Sequence, residues 1–308
     1  MRSATIALLS LLVLPAALAA STRTVTAPAP VTALAFDAGR VAFASGRSAR
    51  DCNRVRVWNL VTRGVTTFPR PTSCIETSTG NGISGLAIAG NRVLWAHYIG
   101  GNFRDWTLWT ATTTKPKPLR LRAVTREADD PAPLVVGDGD SGGLGGMLPY
   151  ALGREVVALR TSGARRFAWT APGHVNALSA RGGELAVASA GGIVTVLEAG
   201  GDVVRSEAYA AEVQAVELTG AALLVQRGRT LELRGSGPAR TWLLPAGARL
   251  EDAQGNRAYY MAAGQIRELR LDAINRQRQL GLGSHVQVDG ERLALSSGRR
   301  VLLRQPLP

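Results

Sequence analysis

The chain has 308 residues, with 36 Lys+Arg against 23 Asp+Glu, 35 Gly, three His and two Cys. At 45% hydrophobic and 19% charged residues it is neither a disordered tail nor a coiled coil. Two Cys exclude a disulfide-dense small scaffold and a four-Cys zinc site, and three scattered His leave little material for a His-rich metal centre.

The formal charge of +13 comes almost entirely from Arg, because Lys115 and Lys117 are the only lysines. It implies attraction to polyanions, such as an anionic polymer or glycan. The longest basic runs are the pairs Arg165-Arg166 and Arg299-Arg300, so no nucleic-acid patch is expected.

Residues 1–19 read as a signal peptide rather than a buried helix. Arg2 is the positive start, Ile6 to Leu14 the apolar run, Pro15 its break, and Ala17 and Ala19 the small residues before a cleavage site. The run is shorter than the ~20 apolar residues of a membrane span. No Cys lies at the cleavage point, which argues against a lipoprotein, and no later segment is long and apolar enough to span a bilayer. A single domain over residues 20–308 is expected, exported to the periplasm or cell envelope, or secreted. In an oxidising compartment Cys52 and Cys74 pair most simply with each other, the alternative being two free thiols. A loop of 22 residues closed in this way contributes about 3 kcal/mol.

From Ser21 onward the chain is a series of short apolar strands and Gly-rich turns. STRTVTAPA is strand-like. VTALAF from Val31 meets the turn Asp37-Ala38-Gly39-Arg40, then VAFASG from Val41 and VRVWNL from Val55. The same strand, turn, strand, strand pattern returns as VNALSA from Val175, the turn Arg181 to Glu184, LAVASAGG and IVTVL. It closes the chain as HVQV from His285, the turn Asp289 to Arg292, LALSSG and VLLR. Weaker copies start near Ile83, Pro133, Val213 and Arg249, so successive starts lie 36 to 52 residues apart. That period suits one four-stranded propeller blade. Each second strand is almost continuously apolar, as a sheet buried on both faces requires. The last copy has room for three strands, and the run from Ser21 can supply its missing outer strand. The expected fold is therefore all-β, a seven-bladed β-propeller with its last blade closed by the N-terminal strand. Six blades are the alternative.

The first copy resembles a WD-repeat blade, with Trp58-Asn59 where that family ends in Trp-Asp. The other copies lack that pair, and no Gly-His opens them, so the family's Asp-His-Ser/Thr-Trp network does not carry over. A looser resemblance, to exported bacterial propellers of the TolB-like kind, covers nearly all of the mature chain. It implies binding of a protein or ligand rather than one defined activity.

If strands A to D run outward in each blade, B–C and D–A loops share one face. Cys52 and Cys74 both fall there, as does the most aromatic loop, Tyr98 to Trp106. Tyr98, Asn102, Phe103, Arg104 and Trp106, with Arg126, Asp129 and Asp130 from the following D–A loop, form the candidate binding set. Exposed aromatics and Arg are typical of binding hot spots. The competing reading packs Trp106 into the blade and leaves the loop merely solvated.

Three motifs invite catalytic or metal readings. Gly139-Asp140-Ser141-Gly142-Gly143 matches a trypsin-like nucleophile segment, with His97 as base and Asp105 or Asp129 as orienter. Only 44 residues separate His97 from Ser141, too few for that fold. Asp138-Gly139-Asp140 resembles the start of a calcium loop, but the twelfth position is Pro149 rather than Glu. His97 is expected at a core edge, and His174 and His285 have no second His at metal spacing. No cofactor or metal is expected. The leading expectation is a monomeric, non-catalytic propeller that binds a protein, peptide or glycan. A hydrolase or lyase acting on glycans is the alternative, with Asp129, Asp130 and His97 as its first suspects.

Overall fold

The computed structural model describes residues 22–47, 51–74, 77, 80–127, 129–139, 146–220, 222–273 and 276–305. The expected signal peptide lies outside these residues. The described residues are all-β, in seven four-stranded antiparallel sheets, an arrangement consistent with a seven-bladed propeller rather than a six-bladed one. The sheets are numbered here by their inner strands: Val31–Asp37, Asn81–Ala89, Leu134–Val135, Val175–Arg181, Ala215–Leu218, Arg249–Gln254 and His285–Asp289. The N-terminal strand Arg23–Thr26 pairs with Arg300–Arg304 and is the outer strand of sheet 7.

Burial on both faces explains the continuous apolar runs. In sheet 1, Val41 and Phe43 pack toward sheet 7, while Ala42 and Ala44 point the other way, toward Trp95 of sheet 2. Alternation with a period of two thus sends large residues to one interface and small ones to the next. Each of seven apolar clusters joins two neighbouring sheets, and one of them joins sheet 7 to sheet 1. Removing a fully buried Phe43 or Leu185 from such a cluster forfeits roughly 2–3 kcal/mol of transfer energy alone.

Cys52 and Cys74 form a disulfide with Cα atoms 5.9 Å apart, tying the B–C loop of sheet 1 to the connection that leads into sheet 2. Among the described residues no helix is long and apolar enough to cross a membrane.

Candidate functional site

Sheet 2 stands out by the length of its strands, nine or ten residues each. Second strands elsewhere have five or six. Arg40 and Arg92 open equivalent second strands, but that of sheet 1 ends at Ser45, whereas that of sheet 2 runs three residues past His97 to Gly100. At about 3.4 Å per residue, the extension raises this sheet by ~10 Å.

The extension corrects the expected loop. Only Gly101 and Asn102 separate Arg92–Gly100 from Phe103–Thr112, so the segment from Tyr98 to Trp106 is a hairpin. Tyr98 pairs directly with Trp106, their rings 5.1 Å apart, and aromatic cross-strand pairs of this kind stabilise a ladder. Arg126, expected in a loop, is the second-last residue of the outer strand and sits opposite Arg104. Tyr98, Arg104, Trp106 and Arg126 therefore share one face of the raised sheet. Phe103 and Asp105 share the other, Asn102 is at the tip, and Asp129 and Asp130 follow in an exposed loop. Trp106 is only 2% exposed, whereas Phe103 is 60% exposed. The Arg104 guanidinium lies 5.3 Å from the Tyr98 ring centroid.

The disulfide buttresses this extension. Asn53, next to Cys52, donates from Nδ2 to the carbonyl oxygen of Asn81 (3.0 Å) and to its Oδ1 (2.6 Å). His97 Nε2 lies 2.7 Å from the same Oδ1, which can only accept, so this nitrogen carries the proton. Burial holds the His97 pKa down at about 4, leaving a neutral, structural imidazole. Beside the disulfide, burial pushes the Asp51 carboxyl up, but bonds from Arg54 and Arg56 outweigh this and hold it below the usual range.

The other end of the inner strands has the opposite chemistry. All seven inner segments line one cavity of about 480 Å3, into which Asp37, Asp138, Glu217, Glu251, Asp252 and Asp289 contribute carboxylates and Arg181 a guanidinium. A bulge between Leu250 and Asp252 lets the neighbours Glu251 and Asp252 both reach it. Most of these acids are joints between sheets. Asp37 accepts from Gly90 N of sheet 2 (2.6 Å), Asp138 from Gly183 N of sheet 4 (2.9 Å) and Asp289 from Gly39 N of sheet 1 (3.3 Å). Asp252 accepts from Val288 N of sheet 7 (2.7 Å) and from Arg181 (3.2 Å), while Glu217 accepts from Ser179 Oγ (2.7 Å). Gly139 packs against the Asp37 carboxylate so closely that a Cβ there would lie 1.8 Å from Oδ1. Burial, with the charges of Asp289 and Asp138 adding to it, raises Asp37 to about 6. Burial also raises Asp252 to about 6 and lifts Glu217 well above the carboxylate range, with Asp252 adding to the latter.

Sequence reasoning missed this acidic cavity. Asp37 and Asp289 are legible as turn residues, but their bonds to the main chain of neighbouring sheets are not. Of the tempting motifs, Asp140 and Ser141 lie outside the described residues. His97 bonds Asn81 and Asp105 accepts from Thr125 Oγ1 (2.6 Å), so these two do not form a His–Asp pair. His174 is exposed, and His285 Nδ1 lies 3.8 Å from Glu251. Among the described residues no group of three or more His, Cys, Asp or Glu is arranged to hold a metal ion.

No known family model matches the chain, and no curated protein matches it. Solved structures do. A computationally designed protein, Ika8, aligns at a TM-score of 0.52 and 12% identity over 92% of this chain and 98% of its own. Raptor of Chaetomium thermophilum aligns at 0.60 and 13% identity over 92% of this chain but 28% of its own. A chain of the mitotic checkpoint complex aligns at 0.58 and 13% identity over 100% of this chain and 99% of its own. The last two are WD40-type propeller proteins, and likeness at this identity concerns the fold alone.

Proposed function

We propose that this chain is an exported, closed seven-bladed propeller that binds a protein, peptide or glycan partner at the cell envelope, without chemistry of its own, through the raised end of sheet 2. The observation that carries this reading is the ~10 Å extension of that sheet alone, which gathers Tyr98, Phe103, Arg104 and Arg126 above the neighbouring sheets. A partner approaching this face meets the wall first. The disulfide fits export. The seven apolar clusters that link every sheet to the next support closure. The competing hydrolase reading draws on Asp37, Glu217 and Asp252, whose raised pKa values suit general acids. Their bonds across sheets favour a joining role instead.

The test immobilises the mature protein and passes an envelope extract over it at low and high salt. A bound species retained by Asp37→Asn and lost by the folded triple variant Tyr98→Ala, Phe103→Ala, Arg104→Ala is expected. Undiminished capture by the triple variant removes the reading.

A further inference from the structure

Most arginines of this protein are answered. Arg54 and Arg56 bond Asp51, Arg227 and Arg234 bond Glu232, Arg181 bonds Asp252, and Arg92 and Arg154 bond main-chain carbonyls. Several exposed or half-buried ones are not, Arg104 and Arg126 among them. These two face each other across the two outer strands of sheet 2, yet among the described residues neither guanidinium donates a hydrogen bond or meets a carboxylate. Like charges directly opposite on a sheet repel. Arg104 is held in place by the Tyr98 ring, and its Nε is buried without a partner. The indole Nε1 of the neighbouring Trp106, a residue on the same face, is also buried and unpartnered.

Arg126 reaches across to the next sheet. Its Nη2 lies 2.8 Å from where a Cβ of residue 153 would sit, and that residue is glycine with φ +67°. The His174 ring stands 3.6 Å from the same point. Arg126 and His174 thus converge over the Gly153 turn of sheet 3, with Arg104 beside them on the wall.

We infer that this corner, between the raised face of sheet 2 and the Gly153 turn, binds carboxylate groups of an acidic polysaccharide, with Arg104 and Arg126 as the paired donors. The inference rests on the reading of sheet 2 as the partner-binding element and names that partner's chemistry. A guanidinium fork matches a planar carboxylate in bidentate fashion. The class of polymer follows from which donors are free. Main-chain groups of these strands point along the sheet, into the ladder or out of the open edge of Leu119–Glu127, so the face itself offers side chains only. A peptide has its own amides to satisfy and would seek a strand edge. A uronate chain presents carboxylates on rigid rings and needs only side-chain donors. The net charge of +13 adds long-range attraction for such a polymer.

The experiment titrates the mature protein with oligogalacturonate, using its methyl-esterified form and poly-glutamate as comparators. The wild type should bind the free acid and not the ester, and should weaken as salt is raised. Arg104→Gln with Arg126→Gln should lower affinity about tenfold or more while melting like the wild type. Absence of binding to oligogalacturonate, or equal affinity in the double variant, overturns the inference. Equal binding of poly-glutamate overturns the polysaccharide assignment. Phe103→Ala, on the opposite face, separates the two readings. If envelope capture needs Phe103 but neither Arg104 nor Arg126, the partner-binding reading stands and this one falls.

Discussion

The cavity at one end of the inner strands and the raised end of sheet 2 both gather like charges and solve the problem in opposite ways. At the cavity end, the acids have been supplied with backbone amides, a hydroxyl and one guanidinium from neighbouring sheets. At the raised end of sheet 2, Arg104 and Arg126 have been supplied with nothing that accepts. Concentrated charge is therefore a poor guide to a binding site by itself. Whether the charge is already satisfied discriminates better, because a satisfied buried ion mostly holds structure together and an unsatisfied one is open to a ligand.

The largest effects should come from the anchors of the two regions. Trp106→Ala removes a side chain that is almost fully enclosed and should cost ~3–5 kcal/mol, read as a shift in the urea midpoint. At the cavity, Asp252→Ala strands Arg181 and the Val288 amide in a buried site and should cost about 3 kcal/mol. A small effect for Asp252→Ala would mean that the cavity acids are not joints, and would return them to the catalytic reading.

Acidity should separate the regions by sign. Asp37 titrates at about 6 in the folded chain against 3.8 as a free group, so the native state holds the extra proton between those values. Its contribution to stability therefore falls as pH rises from about 4 to 6, and Asp252 and Glu217 act in the same direction. His97 titrates at about 4 against 6.5, so there the unfolded state holds the extra proton. Its contribution is present above pH 6.5 and is lost as pH falls toward 4. Melting curves across this window should show the two partly cancelling in the wild type. Asp37→Asn, which keeps an acceptor for Gly90 N, should steepen the loss on acidification. His97→Gln, which keeps a donor for Asn81, should flatten or reverse it. Each change is on the order of 3 kcal/mol. Parallel profiles for the two variants would contradict the assignments.

Much of the fold was legible because it repeats. The starts Val31, Val175, Arg249 and His285 are the first residues of inner strands, and those near Ile83, Pro133 and Val213 fall within two residues of one. The use of the strand from Arg23 to complete sheet 7 also follows from that repeat, and the pairing of Cys52 with Cys74, expected from an oxidising compartment, agrees with it. The candidate site was legible in its residues but not in its form. Gly100-Gly101-Asn102 signals a turn, and from sequence the turn reads as a long loop. The Tyr98–Trp106 pair across it makes a ladder instead, since a strand's partner is not written in its own sequence. The cavity was illegible for the same reason on a larger scale, because Asp37, Asp138 and Asp289 line it together only once their three sheets have packed.

The smallest stability effect should be the most informative about function. Phe103 lies three residues from Trp106 on the same strand, on the opposite face, and is 60% exposed. An aromatic ring left in water contributes little to the fold, so Phe103→Ser should change stability by no more than about 0.5 kcal/mol. If the raised sheet is a binding element, that same substitution should still reduce capture of the partner, because a ring exposed at an interface core is worth far more when bound than when free. A variant that melts like the wild type and binds less would place the residue in recognition. A variant that loses stability with no change in binding would place it in the packing of sheet 2, alongside Trp106.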